Sequence, residues 1–366
     1  MACTTNTSSQ FRRFITGGLF KCYGKISSLI NNSNSVPANA FVRLFQGTNI
    51  LTAPVLPGTS LGDHVYMYMF ANCSNLTKAP ALPATTLNTY CYQHMFDGCS
   101  SLTTAPTLPA TKLANYCYSY MFSNCSSLTT APTLPATTLA TYCYQNMFVN
   151  CINLTTVPAL PATTLNTYCY QHMFDGCSSL TTAPTLPATK LANYCYYYMF
   201  DGCSSLTTAP ALPATTLVNC CYQGMFHNCS SLTTAPALQA TTLANNCYNS
   251  MFSDCSSLTT APALPATTLN YSCYQYMFSG CSSLTTAPVL PATTLVNYCY
   301  QGMFRNCSKL NYIKAMFTTT PGNSYTKNWV DNVSSNGTFV KNVKAKWTTT
   351  GYSAIPIGWT VQTASS

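Results

Sequence analysis

The chain has 366 residues with 22 Cys, 22 Pro, 26 Tyr and no Glu; 47% of it is apolar and only 6% charged. That composition excludes a disordered chain, which needs low hydrophobicity and high charge, and no run of 18 apolar residues exists to cross a membrane as a helix. The net charge of +9 sits at the two ends: five basic groups precede residue 46, seven follow residue 304 against Asp331, and the residues between carry three Lys and five Asp. A nucleic-acid partner needs basic groups arrayed along one face, so nucleic acid is not an expected partner.

The opening "MACTTNTSSQ" has no basic stretch followed by an apolar run, so no secretory signal is read there. Cys3 stands where a lipid-anchored cysteine would lie had a signal been removed, which leaves the localisation between cell surface and virion. Residues 1–45, with "SSQFRRFITGGLFKCYGKISSLI", read as an N-terminal cap that ends on a degenerate first coil at Leu44-Phe45.

From there the chain repeats. The dipeptide Met-Phe ends at Phe70, Phe96, Phe122 and so on to Phe304, in steps of 26 residues without insertion. A fixed period in this range is the signature of a solenoid, whose coils contact mainly their neighbours. Within one coil, "LTTAPTL" from Leu102 reads as a short strand ending near Ala105, because Pro106 has no N–H for a ladder. Pro109 and Thr111 make a turn, with Thr111 as an N-cap. "LANYCYSYMFSNC" then reads as a short helix. At 100° per residue it gathers Leu113, Cys117, Tyr118, Met121, Phe122 and Cys125 on one half, with Asn115, Tyr116, Ser119, Tyr120 and Ser123 on the other. The fold class expected is an α/β repeat solenoid: right-handed and leucine-rich-repeat-like, of 26-residue strand–turn–short-helix coils over residues 46–310. Residues 311–366, which hold Trp329, Trp347 and Trp359, read as a C-terminal cap.

"MFSNCSSLTTAP" and "MFDGCSSLTTAP" resemble the A-F-x-x-C-x-x-L-x-x-I-x-I-P core of BspA-like leucine-rich repeats, over about residues 44–310. The tail "GTFVKNVKAKWTTTGYSAIPIGWTV" is similar to segments that close such arrays. The resemblance implies a non-catalytic adhesion or recognition protein, of the type found in surface proteins of gut Bacteroidales and in bacteriophage structural proteins. A second cysteine column, with Cys91, Cys117 and Cys143, is not part of the general family pattern.

Cysteine therefore forms two columns, one through Cys99, Cys125, Cys177 and Cys203, the other through Cys117, Cys143 and Cys195. Cysteines eight apart on a helix are about 12 Å apart, too far for a disulfide, and no pair has zinc-ligand spacing. Buried free thiols are expected, against inter-coil disulfides or a metal; no metal and no cofactor is assigned. Catalysis finds no Glu and only four scattered His, without two carboxyl environments converging on a cleft. Binding residues are sought where copies differ, on the outer face: Tyr120, Tyr197, Tyr198, Tyr276, His94 and His172. Tyr and amide side chains at such positions give contact at low entropic cost, toward a surface protein or glycan of another cell. A virion protein for host recognition, a structural spacer or a filament subunit are the alternatives, and the oligomeric state is left open. Residues 80–118 and 158–196 are identical, a copy displaced by three repeats.

Overall fold

The backbone of residues 88–99 shows how a coil is made. N–H groups at odd positions turn back on their own coil: Cys91 to Asn88 (3.3 Å), Gln93 to Tyr90 (3.1 Å), Met95 to Tyr92 (3.2 Å), Asp97 to His94 (3.3 Å) and Cys99 to Phe96 (3.0 Å). Those at even positions cross to the next coil: Tyr90 to Asn115 (3.1 Å), Tyr92 to Cys117 (3.0 Å), His94 to Ser119 (2.9 Å), Phe96 to Met121 (2.9 Å) and Gly98 to Ser123 (2.8 Å). No donor from Tyr90 to Cys99 is wasted, which is what a run with buried backbone requires.

Tyr90, His94 and Gly98 have φ of 59°, 52° and 73°. Each is the third residue of a four-residue turn (88–91, 92–95, 96–99), the left-handed place of a type II turn. Turns 90–93 and 94–97 lie between them, with no positive φ at their two central residues. The result is a period of four, two residues inward and two outward. Cys91 and Tyr92, then Met95 and Phe96, are buried, while Gln93 and His94, then Asp97 and Gly98, are half-buried.

The segment expected as a short helix is thus a chain of linked turns. The helical element among the described residues is a 3-10 turn at Ile26–Ile30. A left-handed residue every fourth position cannot belong to an α-helix. The residue just before the buried cysteine carries this demand in each coil, as Asn72, Gly98, Asn124, Asp254 and their equivalents. Gly, Asn and Asp are the types that enter the left-handed region at least cost.

On the opposite side the expected strand shrinks to a single parallel bridge between coils, such as Lys78 to Thr104 and Thr130 to Thr156. Proline two residues later ends the pairing. Thr111 caps no helix; its N–H reaches the Thr85 carbonyl at 3.1 Å. Regular strands occur near the ends: β1 (Phe20–Lys21), β2 (Ser35–Val36), β3 (Ile50–Thr52), β4 (Ser60–Leu61), β5 (Tyr312–Ala315), β6 (Thr338–Lys341) and β7 (Thr360–Thr363). They pair in parallel as β1 with β3, β2 with β4, and β5-β6-β7.

The computed structural model describes Phe14 and residues 17–364, in two units, Met1–Leu180 and Thr181–Ser366. Cys3, Arg12 and Arg13 lie outside the described residues. Each unit is a β-solenoid of such coils around its own core. In the first, Phe45, Phe70, Phe96, Phe122, Phe148 and Phe174 stack with centroids 5.4–5.7 Å apart. Tyr66, Tyr92, Tyr118, Tyr144 and Tyr170 form a second buried column at 5.7–5.8 Å. Each ring buried in this way is worth about 1.5–3 kcal/mol.

In the second unit Phe200 to Phe304 stack at 5.7–5.9 Å, and the column ends on tryptophan. Trp329 is fully buried among Phe304, Phe317 and Phe339, and its Nε1 donates to the Ala354 carbonyl at 2.8 Å. Trp347 stacks on Phe317 at 5.3 Å, and Trp359 donates from Nε1 to the Ser334 carbonyl. All three tryptophans are core side chains.

Candidate functional site

The outward pairs of the turn run line up from coil to coil, because each coil repeats the same left-handed positions. In the first unit two aromatic columns result, four residues apart along each coil. One holds His64, Tyr90, Tyr116, Tyr142 and Tyr168, with centroids 4.4–4.7 Å apart. The other runs from the Arg43 guanidinium, 4.8 Å over the Tyr68 ring, through His94 to Tyr120, with both ring steps 4.4 Å. Their faces are covered by one another, so they offer edges and hydroxyls to the outside.

The predicted residues fall into this frame as follows. Tyr120 and His94 are adjacent members of the second column. His94 Nδ1 lies 2.9 Å from Asp97 Oδ2, and Asp97 Oδ1 accepts from Asn124 Nδ2 at 3.0 Å. Burial works to raise the Asp97 carboxyl, but hydrogen bonds from His94, Asn124 and Ser123 outweigh it and hold the group below its ordinary range. His172 repeats the arrangement with Asp175 at 2.8 Å.

Tyr197 and Tyr198 belong to the second unit and meet edge to face at 4.7 Å. Tyr198 lies over Gly224 and Tyr276 over Gly302, where a Cβ on either glycine would strike the ring. The Tyr276 hydroxyl accepts from Gln301 Nε2 at 3.0 Å. His94 and Tyr120 are brought together, and so are Tyr197 and Tyr198; Tyr276 lies three coils beyond Tyr198.

Amides at the same face satisfy each other along the column. Ser119 donates to Gln145 Oε1 (3.3 Å), Gln145 Nε2 to Gln171 Oε1 (3.1 Å), and Asn249 Nδ2 to Gln275 Oε1 (2.9 Å). A further acid–imidazole group in the second unit puts His227 Nδ1 2.8 Å from Asp201 Oδ1 and its Nε2 3.7 Å from Asp254 Oδ2.

The column of Tyr90, Tyr116, Tyr142 and Tyr168 was missed by the search for variable positions, because Tyr recurs there. The signal was in the sequence: a tyrosine directly before the buried cysteine in five successive copies, Tyr90 to Tyr194.

The cysteine columns face the other way. Cys99, Cys125, Cys177, Cys203, Cys117, Cys143 and Cys195 have no solvent exposure, and Cys99, Cys125, Cys177, Cys117, Cys143 and Cys195 are free thiols. The first column is bonded to the coil before: Cys99 Sγ donates to the Phe70 carbonyl at 3.1 Å, Cys125 to Phe96 at 3.2 Å and Cys177 to Phe148 at 3.2 Å. Burial pushes the Cys143 thiol up to about 12, and Cys99, Cys117, Cys125, Cys177 and Cys195 also well above the ordinary range. A thiol held protonated is neither a nucleophile nor a metal ligand. No cluster of three His, Cys, Asp or Glu able to hold a metal occurs among the described residues, and no helix there is long and apolar enough to cross a membrane.

A family model described as the BspA type leucine-rich repeat region (6 copies) matches residues 41–181, 145–268 and 222–328. Among solved structures, a leucine-rich repeat protein from Bacteroides ovatus ATCC 8483 is similar at 16% identity and a TM-score of 0.45, over 100% of this chain and 98% of that one. No curated protein matches. Repeats of this family point to a protein-binding or structural role, on a fold that is typically non-catalytic.

Proposed function

The chain belongs to the BspA-type leucine-rich repeat family, and from that premise we propose that it is a non-catalytic binding protein whose outward turn face engages a partner on the surface of another cell. The observation that carries this reading is the fixed scaffold with changing outward pairs. Inward Cys, Tyr, Met and Phe recur in every coil, while the outward places exchange Tyr, His, Asn, Gln, Ser and Gly. Neighbouring coils then offer a partner an array of shallow contacts, each weak alone and effective together.

A protein partner fits this face better than a glycan. Sugar rings bind aromatic side chains through the ring face, and in the first unit those faces are covered at 4.4–4.7 Å by the next coil. The three tryptophans are core, so residues 311–366 serve in this reading as a closing cap and 46–310 as the displayed array.

The test is a binding screen of the full chain against arrays of extracellular proteins and of glycans. Changing one of Tyr120, Tyr197, Tyr198 or Tyr276 to Ala weakens a hit modestly, and changing all four abolishes it. Salt has little effect, because residues 46–304 carry three Lys and five Asp. A hit retained by the fourfold variant, with an unchanged melting temperature, overturns the reading. It then favours a spacer or virion structural subunit, a second reading supported by the amides that bond one another along the face.

A further inference from the structure

Four half-buried tyrosines of the first unit stand one above another at the first left-handed position of successive coils. From Tyr90 through Tyr116 and Tyr142 to Tyr168 the ring centroids are 4.7, 4.4 and 4.4 Å apart, with planes within 12° of parallel. The buried column beside them is looser, with Tyr92, Tyr118 and Tyr144 spaced 5.7 Å apart and about 1% exposed. Burial first, and then the neighbouring phenols of Tyr116 and Tyr168, push the Tyr142 hydroxyl up to about 12. In the second unit the same position reads Tyr194, Cys220, Asn246, Ser272 and Tyr298, so no two tyrosines follow each other there.

We propose that this surface column is an oxidative modification site, at which a one-electron oxidant joins tyrosines of successive coils as dityrosine. The oxidant is of the haem peroxidase class, consuming hydrogen peroxide. Each phenol gives it one electron and one proton and becomes a phenoxyl radical. Two neighbouring radicals pair at the carbons ortho to oxygen, forming one carbon–carbon bond. Each ortho carbon then loses its proton to its own ring oxygen as aromaticity returns. Overall two tyrosines and one hydrogen peroxide give one dityrosine and two waters.

The geometry selects these rings for two reasons. Radical coupling between free phenols depends on encounter, and here the partners are held face to face, so the step is effectively unimolecular. The rings are also half-buried at the surface, within reach of an external oxidant, whereas Tyr92, Tyr118 and Tyr144 are enclosed. The product is an external staple between coils that asks nothing of the thiols inside.

The test treats dilute full-length protein with a haem peroxidase and hydrogen peroxide. Dityrosine fluorescence is followed, and linked peptides are mapped by mass spectrometry of a peptic digest. The expected links are Tyr116–Tyr142, Tyr142–Tyr168 and Tyr90–Tyr116, each lighter by two hydrogens than its separate peptides, with a yield independent of protein concentration. Tyr142→Phe keeps a ring in the stack and removes two of the three contacts, so fluorescence falls to about one third if the contacts act independently. Links mapped mainly to other tyrosines, or a yield that rises with protein concentration, overturn the proposal. Mapping on the unaltered chain decides the matter even if the variant folds poorly.

Discussion

Raising the pH should unfold the first unit by way of its thiols. Burial pushes seven of its cysteines well above 9.0: Cys91, Cys143 and Cys151 to about 12, and Cys99, Cys117, Cys125 and Cys177 in the same direction. A folded-state value above the unfolded one means the unfolded chain releases protons first, so stability is intact below pH 9 and falls as pH rises beyond it. At pH 10.5 an unfolded thiol of pKa 9.0 gains about 2 kcal/mol by ionising, so seven favour unfolding by about 14 kcal/mol. Residual burial in the unfolded chain reduces that sum, which is of the order of the 5–15 kcal/mol by which a domain is usually stable. The assay is circular dichroism against pH in a reducing buffer, with thiolate absorbance recorded in parallel. Loss of structure and appearance of thiolate should coincide, in one step between about pH 9.5 and 10.5. Gradual thiolate formation from about pH 8.5 with circular dichroism unchanged would refute the reasoning, since it would mean the thiols titrate as exposed groups do.

Three further outcomes follow from other parts of the fold. Gly98→Ala places a Cβ at φ 73° and against the Asn72 side chain, and should cost about 1–2 kcal/mol for the left-handed backbone plus the clash, read as a lower urea midpoint. On the acid side, the depressed Asp97 carboxyl contributes stability that is present above its unfolded value of 3.8 and lost as pH falls through the folded one. Asp97→Asn should therefore flatten the stability profile below about pH 4 and leave its shape above pH 6 unchanged. Trp329→Ala empties the centre of the aromatic group that ends the second unit and should cost about 3–5 kcal/mol, measured as a fall in the melting temperature of that unit.

The solenoid, its period and its inward residues were readable in the sequence because coils stacked on equivalent neighbours demand Phe, Cys and Leu at a fixed 26-residue spacing. The local conformation was not. Over the nine residues from Cys91 to Cys99, a period of 3.6 and a period of 4.0 place the same side chains inward, so amphipathicity could not separate a helix from linked turns. The deciding signal was a backbone one: Gly, Asn or Asp before each cysteine of the column from Cys73 to Cys307, at a left-handed φ. "N-C-S" in several copies carries that requirement. The strand was overestimated for a similar reason, since Pro106 stops the pairing after the bridge at Thr104 and only isolated bridges such as Thr86 to Lys112 follow. At the candidate site, Tyr120 and His94 were found because they vary, while Tyr116 and Tyr142 were passed over because they recur.

The alternation of the turn run constrains how such a gene can change. Within a coil, even positions hold the neighbour and odd positions hold the coil itself, so losing one codon there would exchange the two sets and turn Phe and Cys toward water. The first coil shows where a deletion is tolerated. Phe45 to Phe70 is one residue short, yet Arg43, Phe45 and Gly47 still alternate, donating to Met67, Met69 and Ala71. The missing residue was taken where the turn run ends, between Thr48 and Asn49: Thr48 stands 25 residues before Cys73, whereas Asn49 and Pro54 stand 26 before Asn75 and Pro80. Whole coils, by contrast, are interchangeable units with matching upper and lower surfaces. Recombination between misaligned copies yields a chain that still closes, and the identity of 80–118 with 158–196 is the record of such an event. Such an exchange changes the length by complete turns, and the outward tyrosines are copied along with the scaffold that stacks them.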